Sequence, residues 1–277
     1  MAGILCLVPT PIGNLGDISP RARQALESAD FIAAEDTRVS LKLLNHLDLK
    51  KPLVSYYEHN KLESGPRIVS RILAGESCAL VSDAGSPAIS DPGEDLVRLC
   101  AEAGITVTAI PGPCAAITAL SVSALATGRF CFEGFLSANK KSRQEHLTAL
   151  REESRTMIFY EAPHKLRATL GELAAAFGEN RRVSLCRELT KLHEEVLRMT
   201  LGEAAAYYQQ NEPRGEFVLI VEGAPKKEAA AFCIDDAVAL VRERIAGGAS
   251  RKDAIRQIAQ ETGVPKNTLY DAVINQL

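Results

Sequence analysis

A chain of 277 residues is long for one average domain and suits two domains with a small appendage. Hydrophobic residues make up 46% of it, enough for a substantial core, and no stretch is both poor in apolar residues and rich in charge, which excludes extended disorder. A formal net charge of -3 excludes a surface coated in basic residues, so any contact with nucleic acid has to come from local patches.

Short apolar runs alternate with longer helical patterns from residue 4 to about residue 223, which is the pattern of an α/β chain. Strands are predicted over 4–8, 31–34, 53–55, 78–82, 106–110, 131–133, 156–160, 182–187, 194–199 and 217–222, with helices filling most gaps. The first helix has a clean start, with Ser19 as N-cap and Pro20 at the first helical position. Leu96, Val97 and Cys100 give a later helix its apolar face.

The unusual loops do not fall at random. Pro9-Thr10-Pro11-Ile12-Gly13-Asn14 follows the first strand, Glu35-Asp36-Thr37-Arg38 the second, and Asp83-Ala84-Gly85-Ser86-Pro87 the strand that starts at Cys78. Pro111-Gly112-Pro113 and Glu161-Ala162-Pro163-His164 follow two more. Ligands of open α/β sheets bind outside the carboxyl ends of the strands, so these loops are expected to converge on one crevice. Glycine and proline there let backbone amides approach a ligand and hold the turns rigid. Turn punctuation explains any one such loop, but a series of them at strand ends points to a site.

Several common chemistries leave no trace. There is no Walker loop, no G-x-G-x-x-G after a strand, no H-E-x-x-H and no G-x-S-x-G. The five histidines lack metal-ligand spacing, and the seven cysteines are odd in number and form no C-x-x-C pair. Neither a metal nor disulfides are expected, and a reducing compartment is. With no basic leader and no apolar run near the roughly 20 residues of a membrane span, a soluble cytoplasmic protein is expected. The residues themselves lead to a pre-formed site lined by backbone groups, Asp36, Asp83, Ser86 and Glu161, with Arg38 and Lys165 nearby, and leave its ligand open. Two local basic stretches stand apart from the acidic whole: Lys140, Lys141, Arg143 and Arg151, then Arg181, Arg182, Arg187 and Lys191.

The runs LVPTPIGNLGDIS, AAEDTR, LVSDAGSPAISDPG, IPGPCAAITAL, FEGFLSANKKSR, FYEAPHK, RELTKLHEE and GEFVLIVEG resemble, in order, the ribosomal RNA small subunit methyltransferase I group of the tetrapyrrole-methylase superfamily. The resemblance implies an N-terminal α/β domain over 1–115, a second over 116–224 and S-adenosylmethionine in the cleft between them. It implies a homodimer that methylates a cytidine 2′-hydroxyl of 16S rRNA in the decoding region of the small ribosomal subunit. By position, Pro9, Ile12 and Gly13 would form one wall of the cofactor site and Asp83, Gly85, Ser86 and Ile89 another. Cys114 and Ala115 would follow, with Tyr160 to Ala162 near the methionine end, so that Tyr160 and Ala162 join the set. Cys114 stands where a serine is expected, which keeps a small side chain and loses a hydroxyl.

A sulfonium methyl is already activated, so the protein has mainly to align the nucleophile and help remove its proton. Glu35, Asp36 and Glu161 are the candidate bases, and Arg38 is placed to hold a phosphate or a developing alkoxide. Lys140, Lys141 and Arg143 are the candidate RNA contacts. Beyond Gly223 an alanine- and lysine-rich stretch reads as a linker to a helical module over 232–277, in which Ala259, Gly263 and Leu269 have helix-turn-helix spacing. The rival readings are a methylase of a tetrapyrrole or other small molecule on the same fold, and a DNA-binding regulator whose α/β part senses a ligand.

Overall fold

The computed structural model describes residues 2–225 and 232–275, and the chain divides into a compact unit up to Ala224 and a second from Pro225. The first unit holds two five-stranded sheets. In chain order its first half runs β1 (Ile4–Leu7), α1 (Pro20–Ser28), β2 (Phe31–Ala34), α2 (Thr37–His46), β3 (Leu53–Ser55), α3 (Lys61–Leu73), β4 (Cys78–Val81), α4 (Glu94–Glu102) and β5 (Thr106–Ala109). Its second half runs α5 (Ala115–Val122), β6 (Phe130–Phe135), α6 (Lys140–Ala149), β7 (Thr156–Glu161), α7 (Pro163–Phe177), β8 (Arg182–Arg187), β9 (Glu195–Thr200), α8 (Leu201–Gln210) and β10 (Phe217–Val221).

The first sheet has the order β3-β2-β4-β1-β5 and every pairing is parallel. Alternate residues of its buried strands feed two cores. Cys6, Ile32, Ala34, Ala79 and Val81 pack with Leu26 of α1 and Leu44 of α2, whereas Leu5, Phe31, Ala33, Cys78 and Leu80 pack with Ile68 of α3 and Leu96 of α4. Burial on both faces is why the central strands read as unbroken apolar runs. Ser19 caps α1 as expected, its side chain accepting from the Ala22 N–H.

The second sheet, β6-β7-β10-β8-β9, is parallel only between β6 and β7 and antiparallel elsewhere. One face packs on α7 and α8 through Met157, Phe159, Leu219, Leu170, Leu173 and Leu201. The other, through Ile158, Val218 and Ile220, packs on Ala116, Ala119 and Leu120 of α5. All ten strands fall where the apolar runs put them, with ends moved by a residue or two.

The second unit comprises α9 (Ile234–Ala246), α10 (Arg251–Thr262) and α11 (Lys266–Asn275) around Val238, Val241, Ile255, Ile258, Leu269 and Val273. Ser250 caps α10, and Gly263 closes it in a left-handed conformation at φ +72°, giving the expected turn between α10 and α11. Residues 226–231, the core of the expected linker, lie outside the described residues. Among the described residues no helix is long and apolar enough to cross a membrane. Because every loop of the expected crevice precedes Ala224, a chain ending there is expected to fold and to keep the cofactor crevice expected from the sequence. Calorimetry on the shortened chain checks this; loss of cofactor binding in a folded product would place the helical unit within the active site.

Candidate active site

The loops at the carboxyl ends of β1, β4 and β5 are tied to one another before any ligand is considered. The Thr10 and Gly85 backbones exchange two hydrogen bonds of 2.9 and 3.0 Å. Ser86 Oγ donates to the Pro113 carbonyl at 3.0 Å, and Thr10 Oγ1 to the Ser82 carbonyl at 3.2 Å. A Cβ on Gly112 would stand 2.5 Å from Pro9 Cγ, so the glycine is what lets these two loops touch. Gly85 itself sits at φ +83°, and Ala88 and Ser90 are non-glycine residues at φ +67°. Such backbone strain gathers where surrounding structure over-determines a loop. Across the cleft, Tyr160 Oη accepts from the Ala116 N–H at 3.1 Å, which joins β7 to the start of α5.

These loops and the second sheet enclose a cavity of about 510 Å³, within the range of small-molecule sites. Of the residues expected to hold a cofactor, Ile12, Asp83, Gly85, Ser86, Ile89, Cys114, Ala115, Tyr160 and Ala162 line it. Pro9 and Gly13 are not in the lining. Pro9 braces Gly112, and Gly13 lies against the 189–191 loop, where a Cβ would meet Lys191 Cγ at 2.5 Å. Both shape the wall from behind.

The candidate bases part company. Asp36 is the N-cap of α2, accepting from the Arg38 N–H at 2.8 Å and from its guanidinium at 2.6 Å. The Arg38 partner holds its carboxyl down at about 2. Arg38 pairs with Asp36 from an exposed position and does not line the cavity. Glu161 is buried at the end of β7, with one oxygen accepting from the Ala162 N–H at 2.8 Å and the other from Thr169 Oγ1 at 2.5 Å. Glu35 lines the cavity, and burial, then the neighbouring charges of Asp91 and Asp83, raise it above the ordinary glutamate value. Burial raises Asp83 and Asp91 as well. Three carboxyls with raised proton affinity therefore face one cavity, a pattern found where proton transfer or cation binding is done. Among the described residues, no three His, Cys, Asp or Glu side chains form a group that could hold a metal.

The basic stretches also divide. Asn139 caps α6, and Lys140 and Lys141 project exposed from its first turn. Arg143 instead bonds Glu172 at 2.8 Å. Arg187 bonds Glu195, and Lys191 bonds both Glu188 and Glu216, so the second stretch is largely spent inside the fold.

The lining also includes Ser90, Asp91, Phe135, Cys186, Leu189 and Val218, which sequence reasoning missed. Asp91 had a signal, lying two residues beyond Ile89 in the same DAGSPAISDPG run. Cys186 and Val218 had none, because a strand residue facing a cavity has the composition of one facing a core.

The family model described as Tetrapyrrole (Corrin/Porphyrin) Methylases matches residues 5–205. A protein of Synechocystis named ribosomal RNA small subunit methyltransferase I is 48% identical over 268 residues, covering 97% of this chain and 96% of its own. Its namesake in Halalkalibacterium halodurans is 49% identical over 272 residues, covering 97% and 94%. Among solved structures, uroporphyrin-III C-methyltransferase from Thermus thermophilus, complexed with S-adenosylhomocysteine, aligns at a TM-score of 0.57 and 18% identity, over 79% of this chain and 97% of that one.

Proposed function

The chain belongs to the ribosomal RNA small subunit methyltransferase I family, on a tetrapyrrole-methylase fold, and from that premise we propose that it carries a methyl group from S-adenosylmethionine to the 2′-hydroxyl of a cytidine in the decoding region of 16S rRNA. It acts in the cytoplasm, on the small ribosomal subunit, as a homodimer. The exposed outer edge at β5 and the apolar groove of Leu7, Pro9, Pro87, Ile89, Val97 and Ile110 beside it support the dimer.

The cavity suits the cofactor's mixed chemistry. Ile12, Ile89, Ala115, Leu189 and Val218 offer apolar wall for an adenine ring, and the Asp83 and Asp91 carboxyls offer acceptors for a diol or a cationic centre. Bound there, S-adenosylmethionine supplies a methyl already activated by its sulfonium. Glu35 accepts the proton of the 2′-hydroxyl, and the tied loops of Thr10, Gly85 and Pro113 hold the reactants in line and exclude water. The observation that carries this assignment is that Asp36 is paired with Arg38 away from the cavity and Glu161, though it lines the cavity, has both oxygens hydrogen-bonded within the fold, whereas Glu35 faces the cavity with no ion pair. Incubation with radiolabelled S-adenosylmethionine and, separately, small subunits, free rRNA, DNA and a precorrin tests the substrate class. Label is expected in small-subunit rRNA; label in the precorrin alone would support the small-molecule rival.

Lys140 and Lys141 bind RNA phosphates in this reading. Replacing both with alanine is expected to weaken RNA binding and flatten its salt dependence, by about 0.7–0.9 in log–log slope for each phosphate that is no longer neutralised. Cofactor affinity stays as it was. Arg143→Ala behaves differently, lowering thermal stability because it strips Glu172 of its partner. An unaltered salt slope in the double lysine variant would remove α6 from the RNA interface.

A further inference from the structure

β6 pairs with β7 in register from Phe130 to Phe132, opposite Thr156 to Ile158, then resumes with Gly134 opposite Phe159 and Phe135 opposite Tyr160. Glu133 is the extra residue of a β-bulge. Gly134 takes φ +62°, a left-handed conformation that suits glycine. In an unbroken strand, residues three apart face opposite sides of the sheet. The bulge cancels that alternation, and the rings of Phe132 and Phe135 both meet Tyr160 edge-on, with centroids 5.1 and 5.5 Å away. Phe132 is half-buried behind Tyr160, whereas Phe135 is 58% exposed and lines the cavity. Tyr160 is itself fixed through its hydroxyl to the start of α5. The Phe-Glu-Gly-Phe run thus aims a ring, rigidly backed, at the mouth of the site that holds Glu35.

The 2′-hydroxyl lies on the outer face of an RNA helix, but Glu35 is partly buried in the cavity wall, and a nucleotide drawn in to meet it gives up the stacking partners of its base. Aromatic side chains replace them in proteins that take single nucleotides from RNA. Resting on the ribose-methylation reading above, we propose that Phe135 is the stacking platform for the unstacked pyrimidine base of the target nucleotide. It positions the sugar over Glu35 and takes no part in bond making.

The test compares the full-length protein with Phe135→Ala, Phe135→Leu and Phe135→Tyr, using small ribosomal subunits and S-adenosylmethionine. Phe135→Ala is expected to raise the KM for the subunit on the order of tenfold, as removal of one base–aromatic stack does. Its cofactor affinity by calorimetry is expected to match that of the parent. Tyrosine, which keeps a π face, restores the KM, and leucine, which keeps only apolar area, does not. A fluorescent pyrimidine analogue at the target position is quenched by the parent and by the tyrosine variant, and not by the other two. Equal loss of cofactor affinity would mean that the ring covers the cofactor, and would overturn the platform. So would an unchanged KM, or full rescue by leucine. A parent protein that methylates no ribosomal RNA would overturn the function reading and the platform with it, whereas the other failures leave that reading standing.

Discussion

Glu35→Gln is expected to lower turnover by roughly 100- to 10,000-fold, the usual range for loss of a general base, while S-adenosylmethionine still binds. Glutamine keeps the size and loses the proton affinity. The same substitution is expected to raise thermal stability at neutral pH. Burial and the charges of Asp91 and Asp83 lift the folded-state value of Glu35 above its ordinary 4.5. Between the ordinary and the raised value the native protein binds more protons than the unfolded one, so stability falls as pH rises through that window. The penalty is complete above it, where glutamine relieves it, and absent below the ordinary value, where glutamine gains nothing. For activity the sign is the reverse: the base works only when deprotonated, so the parent's rate falls as pH drops through the raised value. Thermal melts and pH–rate profiles of the two proteins check both halves. A variant that keeps the parent's turnover and acid limb would move the base to another residue, with Asp91 next in line because it faces the same cavity.

Gly85→Val is expected to raise the dissociation constant for S-adenosylmethionine by an order of magnitude or more in a protein that remains folded. A β-branched residue at φ +83° adopts a conformation that costs on the order of 1–3 kcal/mol. Its Cβ would stand 3.4 Å from Ile12 Cγ2, in ordinary contact, so the harm comes from the backbone and from methyls entering the cavity rather than from a clash. Relief of the strain requires turning the peptide, which breaks the paired hydrogen bonds with Thr10 and loosens the loops on both sides. The core strands are untouched, and that is why folding survives. Calorimetry and circular dichroism together decide it. Unchanged affinity in a folded variant would take the 83–91 loop out of the cofactor site.

The central strands β2, β4 and β10 were legible because strands buried on both faces are apolar over their whole length, and the loops because glycine and proline gather where the backbone turns tightly. The choice among acids was not. Glu35 and Asp36 are adjacent, and only the capping of α2 by Asp36 turns one inward and the other to Arg38. Arg143 reads as part of a basic run until Glu172, 29 residues on, is brought beside it by the packing of α6 on α7. Phe135 lies beyond the strand predicted over 131–133, and the bulge that brings its ring to Tyr160 leaves no trace in composition. Sequence patterns carry what each segment must bury; which polar group meets which is settled by tertiary packing.

The identity of the atom that receives the methyl group is the most direct test. Small subunits from cells lacking this activity, incubated with the protein and methyl-labelled S-adenosylmethionine, can be stripped of protein, digested to nucleosides and separated by chromatography. The label is predicted to run with 2′-O-methylcytidine and to vanish with Glu35→Gln. Label on a base-methylated nucleoside, or on the ribose of any nucleoside but cytidine, would contradict it.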